Sequence, residues 1–409
     1  MPTSLPSSAL HSAVLLPTVL RRSAFCRLVP LTLLLLLGAC AGMIDSAPKQ
    51  SVKGAGKAPA TPSIAAPGKP QGGMKVGLLL PLSGAHAALG QALQNAAQMA
   101  VFDDNGARLE LLPRDSGDTP QQALTAFQDL QARGVSLVVG PLFAPQVAAV
   151  KPVAANRNLP LLALSNDMSQ AAPGTYLLGF APPDQVMRVS GFACTQGSKS
   201  FVALLPNGTY GDVVSKALQT SVQRCSGANL KQRRYDGGGA QFVSTLQDIA
   251  GTRQLFDTLV LAEPASQLQG TALPTALDGR HVRLLGTGLW DEDGVGRTAP
   301  SLVGAWFAAP SGGDRQRFNR NYLAFYGAPA PRLAALAYDA VALAAALQKR
   351  NLKPDLTNLT NPVGYMGVDG IFRLLPDGTA ERGLAVSRVT TTGRDIIDQA
   401  PASFSPNTQ

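Results

Sequence analysis

From residue 74 to about residue 285 one pattern recurs: a short apolar run, then a longer stretch whose apolar residues follow the helical period. That alternation is the mark of βαβ units and of a parallel sheet covered by helices. The spacing predicts strands over 76–80, 108–112, 136–139, 160–163 and 176–179, with helices over 88–102, 120–133 and 145–156. A second series then begins. It has helices over 185–194, 210–225, 240–250 and 265–277, and strands over 200–205, 230–235, 258–262 and 283–285. The expected fold class is α/β: two Rossmann-like lobes in succession, each with its own parallel central sheet.

The segment beyond residue 285 holds too little for a third core. It reads as a strand over 303–307, helices over 314–326 and 332–348, and strands over 370–374 and 384–389 that flank Pro376-Asp377-Gly378 as a hairpin. These elements must complete the first two lobes, and a chain that crosses between lobes more than twice makes a hinge. The expected division is 74–180 plus 310–365 for lobe 1 and 181–309 plus 366–398 for lobe 2, with 399–409 a flexible tail.

Composition agrees with a globular chain rich in turns: of 409 residues, 45% are apolar and 15% charged, with 41 Gly and 31 Pro. The net charge of +9 is misleading, because seven of the 35 Lys and Arg but one of the 26 acidic residues precede Met74. The folded part carries only +3, which is no phosphate-binding stripe, so no nucleic-acid partner is expected.

The N-terminus carries Arg21, Arg22 and Arg27, then an apolar run from Leu28 to Leu37, then Gly38-Ala39-Cys40. About ten apolar residues reach only about 15 Å as a helix, half a bilayer core, so the run is a signal segment over 1–39. The residues before Cys40 resemble a bacterial lipobox, which implies cleavage there, acylation of Cys40 and membrane contact through that lipid alone. Ala41 resembles the outer-membrane sorting pattern of Gram-negative bacteria. Residues 40–73 are Ala, Pro, Gly, Ser and Lys with almost no large apolar side chain, a composition that cannot offset its ordering entropy and acts as a tether. Cys194 and Cys225 remain in an oxidising compartment, as a bridge or as two buried thiols; a bridge would contribute about 3–4 kcal/mol.

Lys75-Val76-Gly77-Leu78-Leu79-Leu80-Pro81-Leu82-Ser83-Gly84, followed by Gly90, resembles the opening of the leucine-binding, type I periplasmic binding proteins. Asp115, Val139-Gly140-Pro141, Thr209-Tyr210-Gly211 and Gly367-Val368-Asp369-Gly370 recur at that family's spacing. Leu285-Gly286-Thr287-Gly288-Leu289-Trp290-Asp291, Ala305–Pro310, Tyr326-Gly327 and Arg332–Asp339 further resemble the penicillin-binding-protein activator lipoproteins. That resemblance implies a non-enzymatic regulator of peptidoglycan synthesis, acting from the outer membrane on a peptidoglycan synthase. The alternative is a substrate-binding lipoprotein that delivers an amino acid or similar polar solute to an ABC permease.

In such a fold the cleft lies outside the carboxyl ends of the strands, where helix N-termini offer free N–H groups. Ser83 and Gly84 after the first strand are the expected carboxylate ligands, with Ser165 and Asn166 in the same layer. Tyr210 would close over a ligand from lobe 2, together with Trp290 and Asp291, while Phe180 is expected as hinge packing. Residues 286–288 carry no carboxylate for a ligand ammonium. No cofactor or metal is expected: the histidines are far apart, Asp291–Gly294 lacks the later ligands of a calcium loop, Gly237-Gly238-Gly239 lacks the Lys of a P-loop, and no nucleophile elbow is present.

Overall fold

The computed structural model describes residues 73–404 apart from 105–107, 237–238, 252–254, 274–275 and 278–279. The expected signal segment, Cys40, the tether up to residue 72, Gly237-Gly238 and residues 405–409 lie outside the described residues.

The first series folds as expected: β1 (Met74–Leu80), α1 (Ala87–Asp103), β2 (Leu109–Asp115), α2 (Pro120–Ala132), β3 (Leu137–Val139), α3 (Ala144–Asn156), β4 (Leu161–Ala163) and β5 (Thr175–Leu177). Its five strands pair in parallel in the order β2-β1-β3-β4-β5. The apolar run of β1 is continuous because both its faces are covered. Val76, Leu78 and Leu80 enter one core with Leu93 and Ala97 of α1, while Leu79 enters another with Phe127 of α2 and Val150 of α3. The start of α2 is fixed by a capping box in which the Thr119 side chain accepts from the Gln122 N–H, with Pro120 at the first helical position.

The second series repeats the plan: α4 (Pro182–Thr195), β6 (Ser200–Pro206), α5 (Thr209–Gln223), β7 (Asn229–Tyr235), α6 (Gly239–Gly251), β8 (Thr258–Leu261), β9 (Ala276–Leu277), β10 (Arg280–His281), β11 (Arg283–Leu285), α7 (Val295–Thr298) and β12 (Trp306–Pro310). Among the described residues, strands β9 and β10 pair only with each other. Phe201, Ala203 and Leu205 of β6 face α4 and α5, while Val202 and Leu204 face α6, Trp290 and Phe307. The helix expected over 265–277 is a single 3-10 turn, Ala265–Leu268, because Gly270 takes a left-handed φ of 74° two residues beyond it.

The remainder is α8 (Arg315–Tyr326), α9 (Ala334–Lys349), α10 (Leu356–Leu359), β13 (Tyr365–Gly367), β14 (Gly370–Leu374), β15 (Ala380–Arg382), β16 (Leu384–Val389) and β17 (Arg394–Asp398). The hairpin partner of β14 is β15, not the 384–389 strand, and Asp377 closes the turn by accepting from the N–H and hydroxyl of Thr379. Gly383 then passes the chain to the other lobe, where β16 pairs antiparallel with β12 and β17. The expected boundary at 366 moves accordingly. Phe372, Leu374 and Ala380 pack into the lobe 1 core, and Ala385, Val386 and Val389 are buried in lobe 2. The reason is the apolar set of each strand: β14 and β15 present theirs to α9, and β16 presents its own to α4. The lobe 2 sheet reads β17-β16-β12-β11-β8-β6-β7. Part of the expected tail is packed as well, since Phe404 is buried with the Arg373 guanidinium 4.7 Å above its ring.

Candidate functional site

Both lobes share one strand order, in which the first strand is flanked by the second and the third. The chain therefore reverses direction across the sheet between β1 and β3 in lobe 1, and between β6 and β8 in lobe 2. Ligands in open α/β sheets bind outside the carboxyl ends of the strands at such points. In lobe 1 the loops concerned carry Ser83, Asp115 and Ser165; in lobe 2 they carry Tyr210, Glu263 and Thr287.

Ser83 and Gly84 are exposed beyond β1, but the groups expected to receive a carboxylate already have one. Asp115 Oδ1 accepts from the N–H of Leu82 and of Gly117, each at 2.8 Å, and the hydroxyl and N–H of Ser83 reach the same carboxylate. Burial raises the Asp115 pKa, yet the Ser83 hydroxyl and these three N–H groups outweigh it and hold the group below the usual range. Gly84 has a φ of 73°, and a Cβ there would meet the Asp118 carboxylate at 2.0 Å. Ser165 is buried and its hydroxyl accepts from the Asp167 N–H at 3.2 Å, while Asn166 is exposed beside it.

In lobe 2 the Tyr210 hydroxyl donates to Thr287 Oγ1 at 2.8 Å. Burial pushes the Tyr210 pKa up, and the charge of Glu263 acts in the same direction against the Thr287 hydrogen bond. Trp290, expected at the ligand, is fully buried in the lobe core, and its indole N–H donates to the Glu263 carbonyl at 2.8 Å. A Cβ on Gly286 would lie 2.2 Å from the Trp290 ring, so this glycine serves packing. A buried carboxylate lies nearby at Glu263, two residues beyond β8, which accepts from the Tyr235 hydroxyl. Sequence reasoning missed Glu263 because it searched only the loop after β11.

Asp291 belongs elsewhere. Its carboxylate pairs with Arg332 and, at 3.1 Å, with Arg394. Arg332 reaches Asp369 at 2.6 Å, and Asp369, fully buried, also pairs with Arg315. Phe180 lies between the Arg332 and Arg382 guanidinium groups, at 4.7 and 4.9 Å from its ring centre. Together these side chains form an ionic and cation–π clasp at the crossovers, beside a cavity of about 530 Å³, and it ties lobe 2 through Asp291 to lobe 1 through Arg332. Arg332 and Asp369 lie in stretches the family resemblance singled out, without the pairing between them. Cys194 and Cys225 form the disulfide, with Cα atoms 6.0 Å apart. Among the described residues no group of three His, Cys, Asp or Glu could hold a metal ion, and no helix is long and apolar enough to cross a membrane.

Comparison with known proteins agrees with this architecture. A putative branched-chain amino acid ABC transporter structure from Rhodospirillum rubrum superposes with a TM-score of 0.69 at 21% identity, covering 80% of this chain and all of that one. Among curated proteins, the penicillin-binding protein activator LpoA of Edwardsiella piscicida is 30% identical over 162 residues, 38% of this chain and 23% of that protein. An uncharacterised protein of Rickettsia prowazekii is 25% identical over 151 residues, 37% of this chain and 40% of that protein. The alignments thus span less than half of either relative. The periplasmic binding protein family model matches residues 73–394, nearly all of the described chain. The chain belongs to the type I, leucine-binding family of periplasmic binding proteins.

Proposed function

We propose that this protein is a regulatory member of the family: a non-catalytic lipoprotein of the penicillin-binding-protein activator kind, held to the outer membrane through Cys40, that stimulates a peptidoglycan synthase. The observation that carries this reading is the likeness to the activator LpoA over 162 residues, 38% of this chain. The Asp118 carboxylate beside Gly84 supports it, because it would repel the carboxylate of a free amino acid at the end of β1. The competing reading, a receptor for an ABC permease, is favoured by Glu263 and Tyr210 at the lobe 2 reversal point, a carboxylate and an aromatic wall for an ammonium ligand.

The two readings separate in one paired experiment. Added to a peptidoglycan synthase from the same organism, the purified protein should raise the rate of glycan polymerisation or cross-linking, and a thermal-shift screen of free amino acids should be flat. Saturable stabilisation by leucine or a similar amino acid, with no effect on any synthase, would replace the activator by the receptor.

A further inference from the structure

A second cavity, of about 160 Å³, opens on lobe 1. One wall is Asp103, the last residue of α1, roughly 24 Å along that helix from the end nearest Ser83. The others come from Asp314 and Arg317 at the start of α8, Tyr338 and Asp339 of α9, and Met366 of β13. Three carboxylates thus meet a single guanidinium among the lining residues.

Asp339 is the deepest of them, with 2% of its surface exposed. Its Oδ1 accepts from the Val368 N–H at 2.8 Å, but Oδ2 has no hydrogen-bond partner among the described residues. Oδ2 faces Gly367, which lines the same cavity and where a Cβ would come within 2.5 Å of it. A buried carboxylate oxygen without a donor is costly and calls for one. The other acids are each half-engaged: the Tyr338 hydroxyl donates to Asp103 Oδ2 at 2.8 Å, and Arg317 pairs with Asp314 at 2.7 Å. Arg317 is 63% exposed, so it can swing out at little cost. Met366, which lines the cavity, is 70% exposed.

We propose that this cavity is a docking site for the lysine side chain of a protein partner, whose ammonium enters between Asp103 and Asp314 toward Asp339 while its methylenes cover Met366. Charge complementarity identifies the occupant as a cation. The narrow cavity and the single oxygen left on each outer acid suit a point-charge ammonium on an unbranched stem better than a forked guanidinium, which seeks two parallel acceptors. The proposal does not rest on the activator reading.

The test tracks the Met366 methyl resonance of the full chain, labelled with ¹³C-methyl methionine, during titration with Nα-acetyl-lysine N-methylamide. Matched norleucine and arginine amides serve as controls. The lysine probe should move that resonance saturably and the norleucine probe should leave it still. Asp103→Asn and Asp339→Asn should each weaken the lysine probe at least tenfold, and Arg317→Gln should tighten it by removing the competing cation. If Asp339→Asn does not fold, Asp103→Asn at the exposed helix end carries the comparison. Equal movement by norleucine, arginine binding as tightly as lysine, or affinities indifferent to the Asp103 and Arg317 substitutions would each overturn the proposal.

Discussion

Asp339 carries a measurable consequence at the scale of one residue. Burial raises its pKa to about 7 against the pull of Arg382, the Val368 N–H and Arg332, with Asp369 reinforcing the rise. Since the folded value lies above the unfolded 3.8, the folded chain binds the extra proton between about pH 4 and 7, and this group's contribution to stability falls as pH rises through that window. Asp339→Asn removes the titration. Measured by urea unfolding, the variant should gain on wild type by on the order of 3 kcal/mol between pH 4 and pH 8. Asp184, also raised by burial, to about 6, remains in both proteins and cancels. A stability difference that does not change with pH would contradict this. None of this was legible in the sequence, where Asp339 was one letter of a family motif. Ser83 was legible as the residue after a strand and Asp115 as a family position, but not the contact between them, because pairing of β1 with β2 sets it and one-dimensional spacing does not. Trp290 failed for a related reason: a tryptophan beside glycines reads equally as a ligand wall and as a core residue, and only the fold of the loop decides.

At the scale of elements, the Cys194–Cys225 bridge joins the end of α4 to the turn after α5, two helices that pack on the same face of the lobe 2 sheet. With its ends 31 positions apart in sequence, its removal by Cys194→Ser/Cys225→Ser should cost about 3 kcal/mol and lower the melting temperature by several degrees. Two alkylatable thiols in the native secreted protein would show that the bridge does not form. Strands and helices of both βαβ series were largely readable from periodicity, since a strand buried on both faces has no choice but a continuous apolar run. The errors cluster where local signals compete. Pro376-Asp377-Gly378 marked a turn correctly, but Ala380–Arg382 is only three residues long and two of them, Glu381 and Arg382, are charged, so the second hairpin strand was assigned to the longer apolar run beyond it. Gly270 likewise ended a helix that apolar spacing alone would have continued.

For the whole molecule, the clasp at the crossovers sets how the lobes are held. Asp291→Asn removes the lobe 2 partner of Arg332 while leaving Arg332 bonded to Asp369, so each lobe should keep its fold as the link between them loosens. Small-angle scattering should then show a larger radius of gyration than wild type, with circular dichroism unchanged; an identical scattering curve would mean that packing at Phe180, and not the ion pair, fixes the lobes. The synthase and amino-acid assays belong to this scale too, since activation requires a surface and transport requires a cleft that closes.

The interleaving of the lobes also governs when each can fold. The core around Val76 and Leu78 is finished by Phe372, Leu374 and Ala380, about three hundred residues later, and the lobe 2 sheet is closed by β16 and β17 later still. Neither core is therefore completed until the last tenth of the chain has been made, a non-local closure that slows the final folding step. For an exported lipoprotein of the kind proposed above, such late closure would be protective, since a core that lacks its last strands is easier to keep unfolded until translocation.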